Sequence, residues 1–156
     1  MKLISPAFKN GEIIPSKYTC DGEGVSPPLV IADVPAGAKS LVLIMDDPDI
    51  PEAAKKSFNV EVWDHWVMFN IPPTITEIAE GKNPAGVLGK NTRGDFAYGG
   101  PCPPDREHRY FFKLYALDIM LNLPGGSTKT EVEKAMNGHA LETAELMCRY
   151  ARQARP

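Results

Sequence analysis

Proline and glycine interrupt this chain so often that it is expected to fold as short strands joined by loops. Its 156 residues include 15 prolines and 13 glycines, and eight of these lie within the first 35 positions. Proline fixes the backbone angle φ and lacks an N–H donor, whereas glycine favours tight turns, so both residues break long helices. The sequence therefore favours short strands over a helix bundle.

Three stretches have the composition of longer strands. Residues 40–45 form a continuous apolar run bounded by polar turns, which predicts a buried central strand. Residues 62–71 predict a second strand, in which alternate residues would share one face: Trp63, His65, Val67 and Phe69. Residues 108–117 are rich in tyrosine, phenylalanine and leucine and predict a third strand. His108 and Tyr110 would lie on the same face of that strand.

The last third of the chain has a helical pattern instead. Thr128 and Glu131 have the spacing of a capping box, and apolar residues then recur at helical spacing through residues 132–151. Asn137-Gly138 predicts a break into two helices. The whole pattern predicts a mainly β fold in a single domain spanning residues 1–156. We expect an antiparallel β-sandwich or barrel-like pair of sheets, with peripheral and C-terminal helices.

Charge, apolar content and cysteine spacing argue against several classes of protein. The net charge of −3, without a cluster of lysine and arginine, argues against nucleic-acid binding. The longest strongly apolar run, residues 41–45, is too short to span a membrane, and residues 1–8 lack the apolar stretch of a signal peptide. Cys20, Cys102 and Cys148 are scattered, so neither a disulfide framework nor a structural zinc site is expected. The predicted location is the reducing cytoplasm.

Polar side chains that could carry chemistry stand at the ends of the predicted strands, where loops usually assemble sites. They are Asp47, Asp49, His65 and His108. Imidazole, the Tyr110 hydroxyl and the bare N–H groups of Gly99-Gly100 could all donate hydrogen bonds to phosphate oxygens. Asp47 would orient a histidine and favour its protonation, or receive the ammonium of a phosphoethanolamine or phosphocholine group. This combination predicts a pocket for an anionic head group, without an obvious nucleophile-and-base pair.

Six motifs occur in order along the chain: Tyr18-Thr19-Cys20-Asp21-Gly22, Ser26-Pro27-Pro28-Leu29, Asp47-Pro48-Asp49-Ile50-Pro51, His65-Trp66, Gly100-Pro101-Cys102-Pro103-Pro104 and His108-Arg109-Tyr110. Their combination resembles the phosphatidylethanolamine-binding protein family, and more closely its bacterial and archaeal branch, often named Raf-kinase-inhibitor-like proteins. The resemblance implies a β-sandwich with peripheral helices. It also implies an anion site formed by Asp47, His65, Gly100, His108 and Tyr110, with Pro51, Trp63 and Pro101 lining it.

The function implied by this resemblance is non-enzymatic binding of phosphate, a phosphorylated small molecule or a lipid head group, without a cofactor. Some members of the family inhibit kinases or serine proteases, so such an enzyme is a candidate partner. Resemblance to bacterial relatives makes a homodimer a further expectation, although no heptad or exposed apolar stripe demonstrates self-association. If both pocket histidines donate as imidazolium, phosphate affinity should increase as the pH falls from about 8 to about 6.

Two alternative functions would use the same residues. Cys102 and His108 could form a Cys–His hydrolase, although the prolines between them obscure their orientation and no third orienting group is evident. A divalent metal ion such as zinc could be bound by the candidate carboxylates and histidines: Asp47, Asp49, His65 and His108. These residues lack the short spacing that is typical of structural zinc sites.

Overall fold

The computed structural model describes residues 1–153, which fold into two antiparallel β-sheets and two α-helices. In chain order the strands are β1 (Lys2–Ile4), β2 (Leu29–Ala32), β3 (Ser40–Asp47), β4 (Trp63–Ile71), β5 (Glu77–Ile78), β6 (Val87–Leu88), β7 (His108–Leu117) and β8 (Ala140–Tyr150). The helices are α1 (Glu52–Phe58) and α2 (Lys129–Met136). One sheet has the order β1-β2-β5 and the other the order β6-β4-β3-β7-β8. The predicted mainly β sandwich is confirmed.

Hydrophobic clusters cover both faces of the five-stranded sheet. The cluster between the two sheets contains Leu29 and Ile31 of β2 together with Leu43 of β3 and Phe112 of β7. The other cluster packs α2 against the opposite face, through Val132 and Met136 of α2 and Val42 and Ile44 of β3. All eight residues of β3 are buried. The predicted buried central strand is therefore confirmed, and it extends through Asp47.

β4 does not keep the regular alternation predicted for its residues. The pairing of β4 with β3 shifts register at His65, which has no partner on β3 and forms a bulge. His65 packs edge-on against Tyr110, and both Tyr110 and Trp66 belong to the cluster between the sheets. Val67 and Phe69 belong to the opposite cluster. The prediction that His65 shares a face with Val67 and Phe69 is therefore wrong, because the bulge turns His65 to the other side.

The segment predicted as a second C-terminal helix is a strand. β8 pairs antiparallel with β7 along almost its whole length. Its buried residues, Leu146, Cys148 and Tyr150, recur with the period of two that is typical of a strand. Asn137 follows the end of α2, and Gly138 adopts a left-handed φ of 81° before β8 begins. The break predicted at Asn137-Gly138 therefore separates a helix from a strand.

α2 begins as the capping pattern predicts. The Thr128 hydroxyl oxygen accepts a hydrogen bond from the backbone N–H of Glu131 at 3.3 Å. Within residues 1–153, no helix has both the length and the apolar character needed to cross a lipid bilayer.

Candidate functional site

A cavity of about 430 Å³ opens at one edge of the five-stranded sheet. β3 ends at this edge, and β4 and β7 begin there because both pair antiparallel with β3. This topology brings Asp47, Trp63 and His108 together from three separate strands. The cavity is lined by Asp47, Ile50, Pro51, Ala54, Phe58, Trp63, His65, Asn91, Arg93, Gly99, Gly100, Cys102, Pro103, Pro104, His108 and Tyr110.

Seven of the eight residues predicted to form the site line this cavity: Asp47, Pro51, Trp63, His65, Gly100, His108 and Tyr110. Pro101 is the exception. It is buried outside the lining, and its carbonyl accepts a hydrogen bond from the N–H of Cys20 at 3.1 Å. Asp49 also lies outside the lining and pairs with Arg109, with Oδ2 at 2.8 Å from Nε. The hydrogen bond from Arg109 lowers the pKa of Asp49 to about 2.

His108 is held between two carboxylates. Its Nδ1 lies 2.7 Å from Oδ2 of Asp47, and its Nε2 lies 2.7 Å from Oδ1 of Asp105. When both carboxylates are ionised, each can only accept, so both ring nitrogens donate and the ring is an imidazolium. The hydrogen bond from His108 lowers the pKa of Asp105, whereas burial raises the pKa of Asp47. His108 thus engages a carboxylate that would otherwise repel an anion.

The second oxygen of Asp47 is occupied by the backbone. Oδ1 accepts a hydrogen bond from the N–H of Asp49 at 2.7 Å, which closes the Asp-Pro-Asp turn. Both oxygens of the Asp47 carboxylate therefore have protein partners, and its role within the fold is to hold His108.

His65 has the opposite chemical character from His108. Its ring is buried, and Nδ1 lies 2.7 Å from the carbonyl oxygen of Gly99. Since a carbonyl can only accept, Nδ1 carries the proton and donates. Burial lowers the pKa of His65 to about 4, so the ring is neutral near pH 7. Its Nε2 is then an acceptor, which contradicts our hypothesis of two imidazolium donors.

Several donors that line the cavity have no partner within the described part of the chain. The Tyr110 hydroxyl and the N–H of Gly100 make no hydrogen bond to another residue among 1–153. Burial raises the pKa of Tyr110, so its hydroxyl keeps its proton. At Gly100, a Cβ atom would lie 2.7 Å from the carbonyl oxygen of Tyr18, so a larger residue could not occupy this position without moving the loop. Glycine at this position therefore allows the Tyr18 loop to pack closely against the cavity wall.

Sequence reasoning missed Arg93, which also lines the cavity. The Arg93 side chain is exposed and pairs with no acidic residue among 1–153. Asn91 shapes this loop, since its side chain donates to the carbonyl of Ala97 at 2.9 Å and accepts from the N–H of Asp95 at 3.0 Å. A single arginine in a glycine-rich loop carries no spacing signal, so only the folded loop identifies it as a cation of the site.

One wall of the cavity is apolar and was also missed by the sequence analysis. It comprises Ile50 together with Ala54 and Phe58 of α1. The Phe58 ring packs edge-on against Trp63, with centroids 4.7 Å apart, and half of the Phe58 side chain remains exposed. The cavity thus combines unpaired polar donors with an aromatic rim.

An ion cluster supports the strand ends from the opposite face of the sheet. Asp46 of β3 is buried beside Lys129 of α2, at 3.3 Å, and Lys113 of β7, at 3.1 Å. Lys129 Nζ also lies 2.8 Å from Oδ1 of Asp64 on β4. Because alternate strand residues face opposite sides, this cluster joins α2 to the same three strands that carry the cavity.

Cys20 and Cys102 form a disulfide bond, contrary to the expectation from cysteine spacing. The two residues are separated by 82 positions, so no local pattern could have paired them. Cys102 lines the cavity, and the bond ties that wall to the Tyr18 loop. In this oxidised state the Cys102 sulfur is not a thiolate, so the Cys–His hydrolase alternative lacks its nucleophile. Cys148 is a buried free thiol, and burial raises its pKa to about 12.

The metal alternative lacks a suitable group of ligands. Across residues 1–153, no cluster of three or more histidine, cysteine, aspartate or glutamate side chains could hold a metal ion. The residues proposed as ligands are divided, because Asp49 binds Arg109 outside the cavity and His65 faces a backbone carbonyl. The disulfide also weakens the argument for a reducing compartment, which rested on unpaired cysteines.

Comparison with known proteins gives consistent matches over almost the whole chain. Residues 4–151 match the family model described as phosphatidylethanolamine-binding protein. A UPF0098 protein from Chlamydia pneumoniae is 49% identical over 150 residues, which cover 96% of this chain and 98% of that protein. A UPF0098 protein from Methanothermobacter thermautotrophicus is 50% identical over 158 residues, which cover 97% of this chain and 99% of that protein.

Solved structures give the same result. A crystal structure described as a phosphatidylethanolamine-binding protein homologue from Chlamydia trachomatis has a TM-score of 0.92 and 47% identity, covering 97% of each chain. The crystal structure of Escherichia coli YbcL, described as a new member of the mammalian PEBP family, has a TM-score of 0.86 and 31% identity. It covers 97% of this chain and 98% of YbcL.

Proposed function

Because this chain belongs to the phosphatidylethanolamine-binding protein family, we propose that its cavity binds a small phosphate-bearing molecule or a lipid head group without turning it over. One observation carries the proposal: three unpaired donors line one cavity. They are the Arg93 guanidinium, the Tyr110 hydroxyl and the N–H of Gly100. A tetrahedral oxyanion has enough acceptor oxygens to engage all three donors together.

The electrostatics of the cavity support an anionic guest. Arg93 has no acidic partner among the described residues, so its charge is available to a ligand. The carboxylate that lines the cavity, Asp47, is compensated by His108 at 2.7 Å. A hydrogen bond between a charged donor and an oxyanion is stronger than one between neutral groups, and binding in a cavity limits its screening by water.

The size and lining of the cavity support a ligand larger than inorganic phosphate. Its volume of about 430 Å³ lies within the range of typical small-molecule sites. Phe58 and Trp63 give it an aromatic rim that could cover an apolar or cationic substituent on the phosphate. Inhibition of a kinase or a serine protease, and self-association, stay predictions from the family resemblance.

Calorimetric titration with inorganic phosphate and phosphorylethanolamine tests the proposal directly. Tyr110→Phe removes only the hydroxyl oxygen, and Arg93→Gln removes the charge, so each should weaken phosphate binding about tenfold. Lys39→Gln is the matched control, because Lys39 is an exposed cation that precedes β3 at the end opposite Asp47. Undetectable binding by the unmodified protein, or equal losses in all three variants, would refute the assignment of the cavity.

Turnover is measured separately. Incubation with panels of esters, phosphomonoesters and phosphodiesters should release no product above the rate without protein. Release that depends on His108 or Tyr110 would contradict a binding role and would identify an enzyme.

A further inference from the structure

His65 provides an acceptor in a cavity otherwise characterised by donors. Its Nδ1–H is used by the carbonyl of Gly99 at 2.7 Å, so the neutral ring carries its lone pair on Nε2. Nε2 has no hydrogen bond to another residue among 1–153, and it is not sealed off as a buried unpaired atom. Since the residue is only 6% exposed and lines the cavity, the accessible surface of Nε2 belongs to the cavity.

Two other acceptor groups that line the cavity, the Asp47 carboxylate and the Gly99 carbonyl, already have hydrogen-bond partners. The two oxygens of Asp47 accept from His108 and from the N–H of Asp49, both at 2.7 Å. The Gly99 carbonyl accepts from His65. Nε2 of His65, beside the edge-on ring of Tyr110, therefore offers an unpaired acceptor to a ligand that carries a donor.

We propose that Nε2 of His65 makes the cavity selective for anions that also carry a hydrogen-bond donor. This inference rests on the proposed function, since it specifies which phosphate-bearing molecules that cavity accepts. An oxyanion without a proton would place an oxygen lone pair against the lone pair of Nε2, and burial would leave both without a donor. Leaving such a group unpaired costs about 1–3 kcal/mol, which corresponds to about tenfold or more in affinity.

The required donor can have two chemical sources. A phosphate or phosphomonoester can supply a P–OH group, whereas a phosphoethanolamine head group can supply an ammonium N–H. Both donors would bind to Nε2 of His65, so the geometry of the cavity does not distinguish them. Ligands that carry only one of the two donors are needed.

Two pairs of matched probes separate these sources. The first pair is inorganic phosphate and monofluorophosphate at about pH 8, above the second pKa of phosphate groups near 6, so that both are mainly dianions and fluorine replaces the hydroxyl. The second pair is glycerophosphoethanolamine and glycerophosphocholine, whose quaternary nitrogen has no N–H. We expect the donor-bearing member of at least one pair to bind about tenfold more tightly or better.

A variant of His65 shows whether this residue is the cause. His65→Phe keeps an aromatic ring and removes Nε2, so the discrimination within the pair should disappear. His139→Gln is the matched control, since His139 is partly exposed, follows α2 and lies outside the cavity lining, with its Nδ1 2.8 Å from Asp118. It should leave the discrimination unchanged.

The outcomes separate the inference from the function on which it rests. A preference for phosphate over monofluorophosphate assigns the donor to P–OH, and a preference for glycerophosphoethanolamine assigns it to the ammonium. Equal affinity within both pairs overturns the selectivity of His65 while phosphate binding stands. Absence of binding by all four probes overturns the proposed function itself. If His65→Phe does not fold, the affinity ratios of the unmodified protein still decide the inference.

Discussion

Removal of the Cys20–Cys102 disulfide should destabilise this protein by several kcal/mol. A cross-link restricts the unfolded chain, and the restriction grows with the number of residues between the two cysteines. For a separation of 82 residues, the chain-entropy relation gives about 4.5 kcal/mol at room temperature. That is a large part of the 5–15 kcal/mol by which single domains are usually stable. We therefore expect the reduced protein to retain a small margin of stability.

The assay compares urea unfolding of the oxidised protein with that of the Cys20→Ser/Cys102→Ser double variant. Fluorescence of the buried Trp66 indole reports the transition, and extrapolation to water gives the free energy of unfolding. The double variant is measured with and without reductant as a control, because reductant should have no effect once the bond is absent. Thiol labelling of the denatured, unreduced protein should modify one cysteine per chain, which is Cys148.

Two results would refute this reasoning. Labelling of three cysteines would show that the bond does not form in the isolated protein. A difference in unfolding free energy below about 1 kcal/mol, with one cysteine labelled, would show that the cross-link does not restrict the unfolded chain as the relation requires.

Three further predictions follow from the titratable groups near the strand ends. Burial lowers the pKa of His65 from 6.5 to about 4 in the folded state. The unfolded state therefore binds a proton at a higher pH than the folded state does, and stability should decrease as the pH falls from 6.5 to 4. The contribution of His65 should reach about 3 kcal/mol, so the loss should be smaller by that amount in His65→Phe, as measured by urea unfolding across that range. Lys129→Met should lower the free energy of unfolding by about 3 kcal/mol, because it removes the cation shared by the carboxylates of Asp46 and Asp64. An unchanged free energy of unfolding would show that these carboxylates are otherwise solvated. Asp105→Ala frees Nε2 of His108 and should increase phosphate affinity about tenfold in calorimetry. The control variant Glu107→Gln removes a nearby charge that does not contact that nitrogen, so it should change phosphate affinity little. Equal changes in the two variants would indicate a general charge effect.

Local patterns in the sequence were sufficient for the elements that form the edge of the cavity. The apolar run at residues 40–45 and the aromatic run at residues 108–117 predict β3 and β7 because burial and side-chain shape act within each segment. Since these strands pair antiparallel, Asp47 and His108 had to meet if the strands were neighbours, and they do. Seven of the eight predicted residues line the cavity at this edge.

Features that depend on pairing between distant segments could not be predicted. The residues of β8 include apolar positions three and four apart, which imitates a helix, and only the partner strand β7 selects the extended form. The bulge at His65 likewise depends on register with β3. The disulfide joins cysteines 82 positions apart, and Arg93 reaches the cavity from a loop without a regular pattern, so no spacing rule identifies either.

The two histidines at this edge show how partners rather than residue type decide the chemistry of the cavity. Both stand at the start of a strand and both contact the ring of Tyr110. Each ring nitrogen of His108 faces a carboxylate, that of Asp47 or that of Asp105. One carbonyl faces His65, and burial lowers its pKa to about 4, so it is a neutral acceptor near pH 7. A neutral imidazole such as His65 can recognise only whether a ligand carries a donor, and not the charge of that ligand. Arg93 provides a cation and His65 an acceptor at the same cavity, and we expect that combination to distinguish anions of similar charge by the donor they carry.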